Sequence, residues 1–215
     1  MDINVGQLFI SLLVLVFSLT VHESAHAWAA NRLGDPTAML LGRVSLNPVV
    51  HIDPVGTLLF PLLGMVTGAP LLGWAKPVPV ATWRFEQPRR DYLMVAAAGP
   101  LSNLALAFVA AVAMRALLGL GTPAEPAAAA AVIPPLTNLA WSALQINVLL
   151  AMFNLLPIPP LDGSSVLAGL LPERFAAGLD RIRPYGFLLL YALLLSGGFS
   201  LVIGVPYNYV LSWLL

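Results

Sequence analysis

The sequence has 215 residues, of which 59% are hydrophobic and only 9% are charged, and its mean hydropathy is +0.88. This composition excludes an ordinary soluble globular domain and indicates a protein embedded in a lipid bilayer. The formal charge is zero and there is no basic run, so no nucleic-acid partner is indicated. Because cysteine is absent, a bound metal would depend on the three histidines and on carboxylates.

Three apolar stretches are long enough to cross a hydrocarbon core of about 30 Å. They cover residues 8 to 30, 92 to 120 and 130 to 156, and we predict a spanning helix for each. Residues 185 to 215 are apolar as well, but glycines and Pro206 interrupt them. This last stretch is expected to form one kinked helix or two shorter helices.

The segments between the first and second spans are harder to assign. Residues 37 to 54 alternate loosely and contain glycine and proline, which predicts short strands or a loop at the membrane surface. Residues 55 to 74 are apolar but broken by prolines and glycines, and basic residues flank them on both sides. Because cytoplasmic loops carry the excess of positive charge, both flanks are expected inside and the segment is predicted to be a re-entrant hairpin. Such backbone needs cover from protein or a water-filled cavity.

The first span ends in the sequence "VHESAHAW". His22 and His26 are four residues apart, so on a helix they share one face and can bind a single zinc ion. Glu23 lies beside them and is placed to take a proton from water. Ionisable residues within a span are costly and favour a functional interpretation. An alternative is that these side chains only pair with Arg32 or with lipid headgroups at the membrane surface. That interpretation does not explain the HExxH spacing of the three residues.

A catalytic zinc takes three protein ligands and keeps one position open. The remaining histidine, His51, is one candidate for the third ligand. Asp162 is the other, because the first and third spans run in the same direction and each carries a polar group near its inner end. His51 could instead gate access at the mouth of the predicted hairpin, or could be a surface-loop histidine. Gly99 and Asn103 are predicted to allow close packing of the first and middle spans.

The order of several motifs strongly resembles that of the site-2 protease family of intramembrane zinc metalloproteases, in particular the compact bacterial branch without PDZ or CBS domains. The resemblance extends over most of the chain as far as residue 163. The matching motifs are "HESAH" at 22 to 26, "GRVSLNPVVHIDPVGT" at 42 to 57, "WAKPVPV" at 74 to 80, "AAAGPLSN" at 96 to 103 and "NLLPIPPLDG" at 154 to 163.

The resemblance implies that His22, His26 and Asp162 bind one zinc ion per chain and that Glu23 is the catalytic base. Asn154 precedes the aspartate by the family's interval and is expected to position substrate or stabilise the oxyanion. Its alternative role is to cap backbone groups exposed at a helix end near a proline.

We therefore expect an all-α polytopic membrane protein with a single protease domain over residues 1 to 215. A catalytic core of about residues 8 to 163 would contain three helices, the re-entrant hairpin and short membrane-surface strands, followed by one or two C-terminal helices over about residues 184 to 215. The expected location is the bacterial inner membrane, with the active site toward the cytoplasm.

The expected function is hydrolysis of peptide bonds in or near transmembrane segments, with a membrane-protein substrate and the lipid bilayer as partners; no oligomeric state is indicated. The competing interpretations are a metal transporter that uses the same site for transit and an inactive scaffold. Transporters of that kind commonly show internal repeats, and no such repeat is evident in this sequence.

Overall fold

A computed structural model describes residues 5–67, 74–120 and 127–215. Within these ranges every regular element is helical, so the prediction of an all-α protein is confirmed. The α-helices are, in chain order, α1 (Val5–Arg32), α2 (Thr37–Leu40), α3 (Phe60–Thr67), α4 (Pro88–Leu120), α5 (Ala127–Asn154), α6 (Asp162–Leu170), α7 (Glu173–Ile182), α8 (Gly186–Leu195), α9 (Gly198–Val202) and α10 (Gly204–Leu214).

The three predicted spans correspond to α1, α4 and α5, each of which contains a stretch long and apolar enough to cross a membrane. These helices pack side by side. Small residues of α4, among them Ala107 and Ala111, are buried in a core shared with α5 and α10, and such residues let helix backbones approach closely. The bundle of α1, α4 and α5 is the scaffold on which the rest of the chain is arranged.

The C-terminal apolar stretch is divided into α8, α9 and α10. The helical segments before and after the break at residues 196 and 197 are bent by 93°. Gly197 has a φ of +73°, a left-handed conformation that ends a helix and that glycine adopts without a steric penalty. The sequence had left open whether this stretch holds one helix or two, and the glycine determines that it is broken.

The predicted surface strands are wrong. Among the described residues, 37 to 54 contain α2 and a short 3₁₀ turn over Pro48–Val50 instead. The side chain of Asn47 accepts a hydrogen bond from the Val49 amide and so caps this turn. The guanidinium of Arg43 donates to the carbonyls of Val50, Lys76 and Pro77, which satisfies backbone groups without a strand ladder.

The segment predicted as a hairpin begins with a π-helix over Pro54–Leu59 and continues as α3. The amide of Trp74 donates to the carbonyl of Gly56 at 3.1 Å, and the hydroxyl of Thr57 donates to the carbonyl of Trp74 at 2.8 Å. The two ends of the segment therefore meet. The sequence predicts the turn of the hairpin near Pro61 or Gly64, but both residues lie within α3. Residues 68 to 73 lie outside the described residues.

The side chain of Asp35 fixes the turn that follows α1. Asp35 is fully buried and accepts hydrogen bonds from the backbone amides of Ala81, at 2.6 Å, and Thr37, at 3.0 Å. Burial raises the pKa of this carboxyl, but the hydrogen bonds from Thr37 and Ala81 and the nearby charge of Arg84 outweigh it, so the pKa of Asp35 is lowered below its ordinary value. The ionised side chain ties α1 to residues 81 to 84.

We expect Asp35→Asn to lower the free energy of unfolding at neutral pH by about 1 to 3 kcal/mol, because the amide nitrogen would face backbone donors. The folded-state pKa lies below 3.8, so the carboxylate stabilises the wild type above that pH and loses its effect as the pH falls further. Thermal unfolding in detergent over a pH series from 7 downward should show the gap between the two proteins narrowing as the carboxyl of Asp35 takes up its proton. Glu86→Gln, at an exposed site, is the control, and a gap that stays the same down to the lowest pH at which the wild type folds would contradict the prediction.

Candidate metal centre

Two histidines of α1 and one aspartate of α6 meet in the interior. His22 and His26 are 4% and 8% exposed, and their Nε2 atoms are 3.0 Å apart. Oδ2 of Asp162 lies 3.1 Å from Nε2 of His22 and 3.3 Å from Nε2 of His26. Among the described residues, this is the one group of three histidine, cysteine or acidic side chains whose ligand atoms approach within 4.8 Å of one another.

The aspartate reaches the histidines because the chain turns sharply after α5. That helix ends at Asn154, and the prolines of "LPIPP" prevent it from continuing. Asp162 is then the first residue of α6. A Cβ on Gly163 would lie 2.5 Å from the carbonyl oxygen of Leu156, so only glycine lets the start of α6 pack directly on the end of α5.

Glycine also makes room for the imidazoles on α4. A Cβ on Gly99 would lie 2.6 Å from Nε2 of His22 and would also collide with the ring of His26. The two rings lie edge to face, with centroids 4.6 Å apart. The backbone of α4 thus forms the wall against which both rings rest.

The donor set of this cluster fits a cation. Nδ1 of His26 lies 2.7 Å from the carbonyl oxygen of Val95; since a carbonyl can only accept, Nδ1 carries the hydrogen and Nε2 presents a lone pair. Oδ2 of Asp162 is buried and has no hydrogen-bond donor among the described residues. Lone pairs facing one another without a donor are costly in an apolar interior. Two imidazoles and a carboxylate form a ligand set that suits zinc.

The cluster lies on the wall of a cavity of about 460 Å³. Glu23 and Asn154 line the same cavity, and both are partly exposed. Nδ2 of Asn154 donates to the carbonyl of Leu150 in its own helix at 2.9 Å, while the residue still borders the space in front of the histidines. One cavity is therefore bordered by His22, Glu23, His26, Asn154 and Asp162.

His51 is not part of this group. It is 1% exposed, so the interpretation as a surface-loop histidine is wrong. Its Nε2 donates to the carbonyl of Ser45 at 2.8 Å, and its carbonyl accepts from the amide of Lys76 at 2.8 Å. These bonds hold together the loops on either side of the hairpin segment; a gating role stays a prediction.

Two residues near the cluster were predicted only as packing positions. Gly99 does allow α1 and α4 to approach, but it also shapes the space that the two rings occupy. Oδ1 of Asn103 lies 2.6 Å from Nδ1 of His22, which makes it a direct neighbour of a predicted ligand. The signal available in the sequence was the motif "AAAGPLSN", whose polar residue lies within an otherwise apolar span.

The model of peptidase family M50 matches residues 10–196. The chain belongs to this family. M50, the site-2 protease family, comprises zinc metalloproteases, so the protein is a zinc-dependent metalloprotease with membrane-spanning helices.

Individual relatives are also designated as zinc metalloproteases. A putative zinc metalloprotease of Bacillus subtilis, YwhC, is 37% identical over 86% of this chain and 79% of its own length. The putative zinc metalloprotease Rip2 of Mycobacterium tuberculosis is 31% identical over 83% of this chain and 64% of its own length. A third relative, Rip2 of Mycolicibacterium smegmatis, is 29% identical over 89% of this chain. No solved structure matches the chain.

We expect Gly99→Ala to reduce the zinc content of the purified M50 protein, because the added methyl group must displace one or both imidazoles. Loss of helix propensity cannot be the cause, since alanine favours a helix more than glycine does, by about 1 kcal/mol. Zinc per chain is measured by elemental analysis after purification. Gly119→Ala on the same helix, where nothing lies within 4 Å of the added atom, should retain zinc; full occupancy in Gly99→Ala would refute the role assigned to this glycine.

Proposed function

We propose that this M50 protein is an intramembrane zinc metalloendopeptidase that cleaves peptide bonds in or near transmembrane segments of other membrane proteins. The observation that carries the proposal is the meeting of His22, His26 and Asp162 beside Glu23, within one cavity and near the end of a helix that can span a membrane. A cluster of this kind is costly among apolar helices and has a clear use only if it binds a metal.

The proposed setting is the bacterial inner membrane, with the site toward the cytoplasm. The distribution of basic residues supports this orientation, because Arg32, Arg43 and Lys76 flank the segment over residues 55 to 74 on both sides. The meeting of Trp74 with Gly56 supports a re-entrant path for that segment. We propose that residues 1 to 215 act as one protease domain, with the core over about residues 8 to 163.

Zinc, held by His22, His26 and Asp162, would supply a Lewis acid that lowers the pKa of water toward about 7 and polarises the substrate carbonyl. Glu23 is partly exposed to the cavity, where its carboxylate would accept a proton from the attacking water and deliver it to the leaving amine. Asn154 borders the same space, and its amide would bind the substrate backbone or the developing oxyanion.

A substrate helix must unwind before this site can cleave it, because its peptide bonds are hydrogen-bonded and shielded. Residues 74 to 80 lie along the cavity wall and, with Pro77 and Pro79, form no regular secondary structure. Within the described part of the chain, the backbone amide and carbonyl of Val78 make no hydrogen bond. These groups would be available to an unwound substrate strand.

Replacing Glu23 with Gln tests the mechanism. The variant should retain zinc, because Glu23 is not a proposed ligand, but lose about 10²- to 10⁴-fold in cleavage rate, the usual contribution of a general acid–base group. Cleavage of a single-span membrane substrate and zinc content are measured together, with Glu86→Gln as the matched control. Undiminished cleavage by Glu23→Gln would remove the proposed base.

Replacing Asp162 with Asn tests the ligand set. An amide at this position removes the negative charge of the carboxylate whose Oδ2 lies 3.1 Å and 3.3 Å from the two imidazoles, so we expect a clear loss of zinc and of cleavage together. Asp53→Asn is the control, because that carboxylate only caps the π-helix after it. If Asp162→Asn kept both zinc and activity, the third ligand would have to be sought elsewhere.

The substrate class is tested with a series of transmembrane helices. A Gly-Pro pair in the middle of an otherwise all-leucine span should accelerate cleavage, since it lowers the cost of unwinding. Rates are compared by gel analysis of products in reconstituted vesicles, with the Gly-Pro pair moved outside the span as a control. Equal rates for the uninterrupted helix would argue against cleavage within the membrane.

Membership of M50 favours a protease over the metal transporter that the sequence left open, and Glu23→Gln tests this alternative as well. A transporter would show zinc flux in proteoliposomes that survives Glu23→Gln. A scaffold without activity would show neither flux nor cleavage while still retaining zinc.

A further inference from the structure

A series of buried hydrogen bonds links the metal centre on α1 to α4 and α5. Nδ1 of His22 on α1 lies 2.6 Å from Oδ1 of Asn103 on α4. Nδ2 of Asn103 lies 2.9 Å from Oδ1 of Asn147 on α5, and Nδ2 of Asn147 lies 2.9 Å from the carbonyl oxygen of Ala143 in its own helix. Asn103 is 0% and Asn147 is 2% exposed.

The direction of every hydrogen bond in this series follows from its last acceptor, the carbonyl of Ala143. The carbonyl of Ala143 can only accept, so Asn147 must present its amide nitrogen there and its oxygen to Asn103. Asn103 must then present its own nitrogen to Asn147, and a second hydrogen of this nitrogen points to the carbonyl of Ser18 at 3.4 Å. Its oxygen is left facing His22, so the hydrogen of His22 must be on Nδ1.

We propose that Asn103 and Asn147 are positioning residues that fix the tautomer of His22, so that its Nε2 lone pair always faces His26 and Asp162. The proposal rests on the proposed role of His22 as a zinc ligand. Metal-binding histidines usually donate their second ring hydrogen to an acceptor that holds the ring in place. Here the acceptor is the side-chain amide of Asn103. If this amide flipped, it would present its nitrogen to His22 and would donate instead of accepting. The hydrogen bond to Oδ1 of Asn147 prevents that flip.

His22 and His26 both carry their hydrogen on Nδ1, but the acceptors that fix it there differ. His26 donates directly to the carbonyl of Val95, a fixed backbone acceptor on α4. His22 lies one turn earlier on α1 and uses a side-chain acceptor. That side-chain amide needs a second amide to orient it, which accounts for a pair of buried asparagines on two neighbouring membrane helices.

A purely structural role would be that the amides join the helices, since side-chain hydrogen bonds between membrane helices stabilise their association. Such a role predicts a loss of stability on substitution but no specific effect on the histidine ring. The tautomer and the zinc affinity therefore distinguish the two interpretations.

The first experiment observes the imidazoles directly. The chain has only three histidines, so ¹⁵N-histidine labelling of the full-length, zinc-loaded protein in detergent gives a simple NMR spectrum. We expect His22 and His26 to carry their hydrogen on Nδ1, with slow exchange against water. In Asn147→Leu the Nδ1 hydrogen of His22 should exchange faster while that of His26 is unchanged. A wild-type His22 with its hydrogen on Nε2 would overturn the proposal.

The second experiment measures zinc affinity by competition with a chelator. Asn103→Leu, which has a similar volume and no acceptor, should bind zinc about 10- to 100-fold more weakly, as is typical when such a partner is lost. Asn103→Asp keeps an acceptor for His22 and should bind zinc much more tightly than Asn103→Leu does. Ser142→Ala, which removes another buried polar group of α5, is the control and should match the wild type.

The outcomes separate this proposal from the function on which it rests. If His22→Ala retained zinc, His22 would not be a ligand and the proposed function would fail first. If His22→Ala lost zinc but Asn103→Leu and Asn147→Leu both bound it like the wild type, the positioning role alone would be refuted. Should Asn103→Leu fail to fold, Asn147→Leu and the wild-type NMR spectrum still decide the matter.

Discussion

The structure depends on the burial of two imidazoles and a carboxylate among helices that are otherwise apolar. Three lone pairs face one another across distances of 3.0 to 3.3 Å, and such an arrangement is unfavourable without a cation between its members. M50 proteins use zinc, and zinc is the cation that we propose for this position. The remaining features around the site can be understood as the means by which a membrane bundle brings these three groups together and keeps them in one orientation.

Prolines and glycines that interrupt or thin the helices bring the three groups together. A continuous helix from α5 would carry Asp162 away from α1, whereas the prolines after Asn154 end that helix and let the chain return. Gly163 then allows the turn to pack on the end of α5, and Gly99 leaves space for both rings. Each of these positions weakens a regular helix locally, and the close packing of α1, α4 and α5 around them offsets the loss.

The loops beside the cavity are held by charged side chains that bond to backbone. Arg43 is 6% exposed and donates to three carbonyls. Asp35 accepts from the backbone amides of Thr37, before the segment over residues 55 to 74, and of Ala81, after it. Unpaired backbone groups are costly at the depth of a membrane or inside a protein. These two residues thus provide the bonds that a strand ladder would otherwise have made, and they fix residues 74 to 80 along the cavity wall.

Much of the protein could be predicted from the sequence. The long apolar stretches predicted α1, α4 and α5, because a membrane demands about twenty consecutive apolar residues. The spacing of His22 and His26 predicted that they share a helix face, since helical geometry is local. The pairing with Asp162 rested on resemblance and on the parallel direction of two spans, and no local rule could give its distance.

Other features were decided only by tertiary structure. Strand-like alternation over residues 37 to 54 failed as a guide because buried side chains, rather than neighbouring strands, satisfy the backbone there. His51 looked like a surface residue, yet loops distant in sequence enclose it. The link from Asn147 through Asn103 to His22 joins three helices, and the direction of its hydrogen bonds depends on how they pack. Sequence determined which groups the membrane must accommodate, and packing decided which of them meet, because contacts between distant segments are set by the shapes of all the helices together.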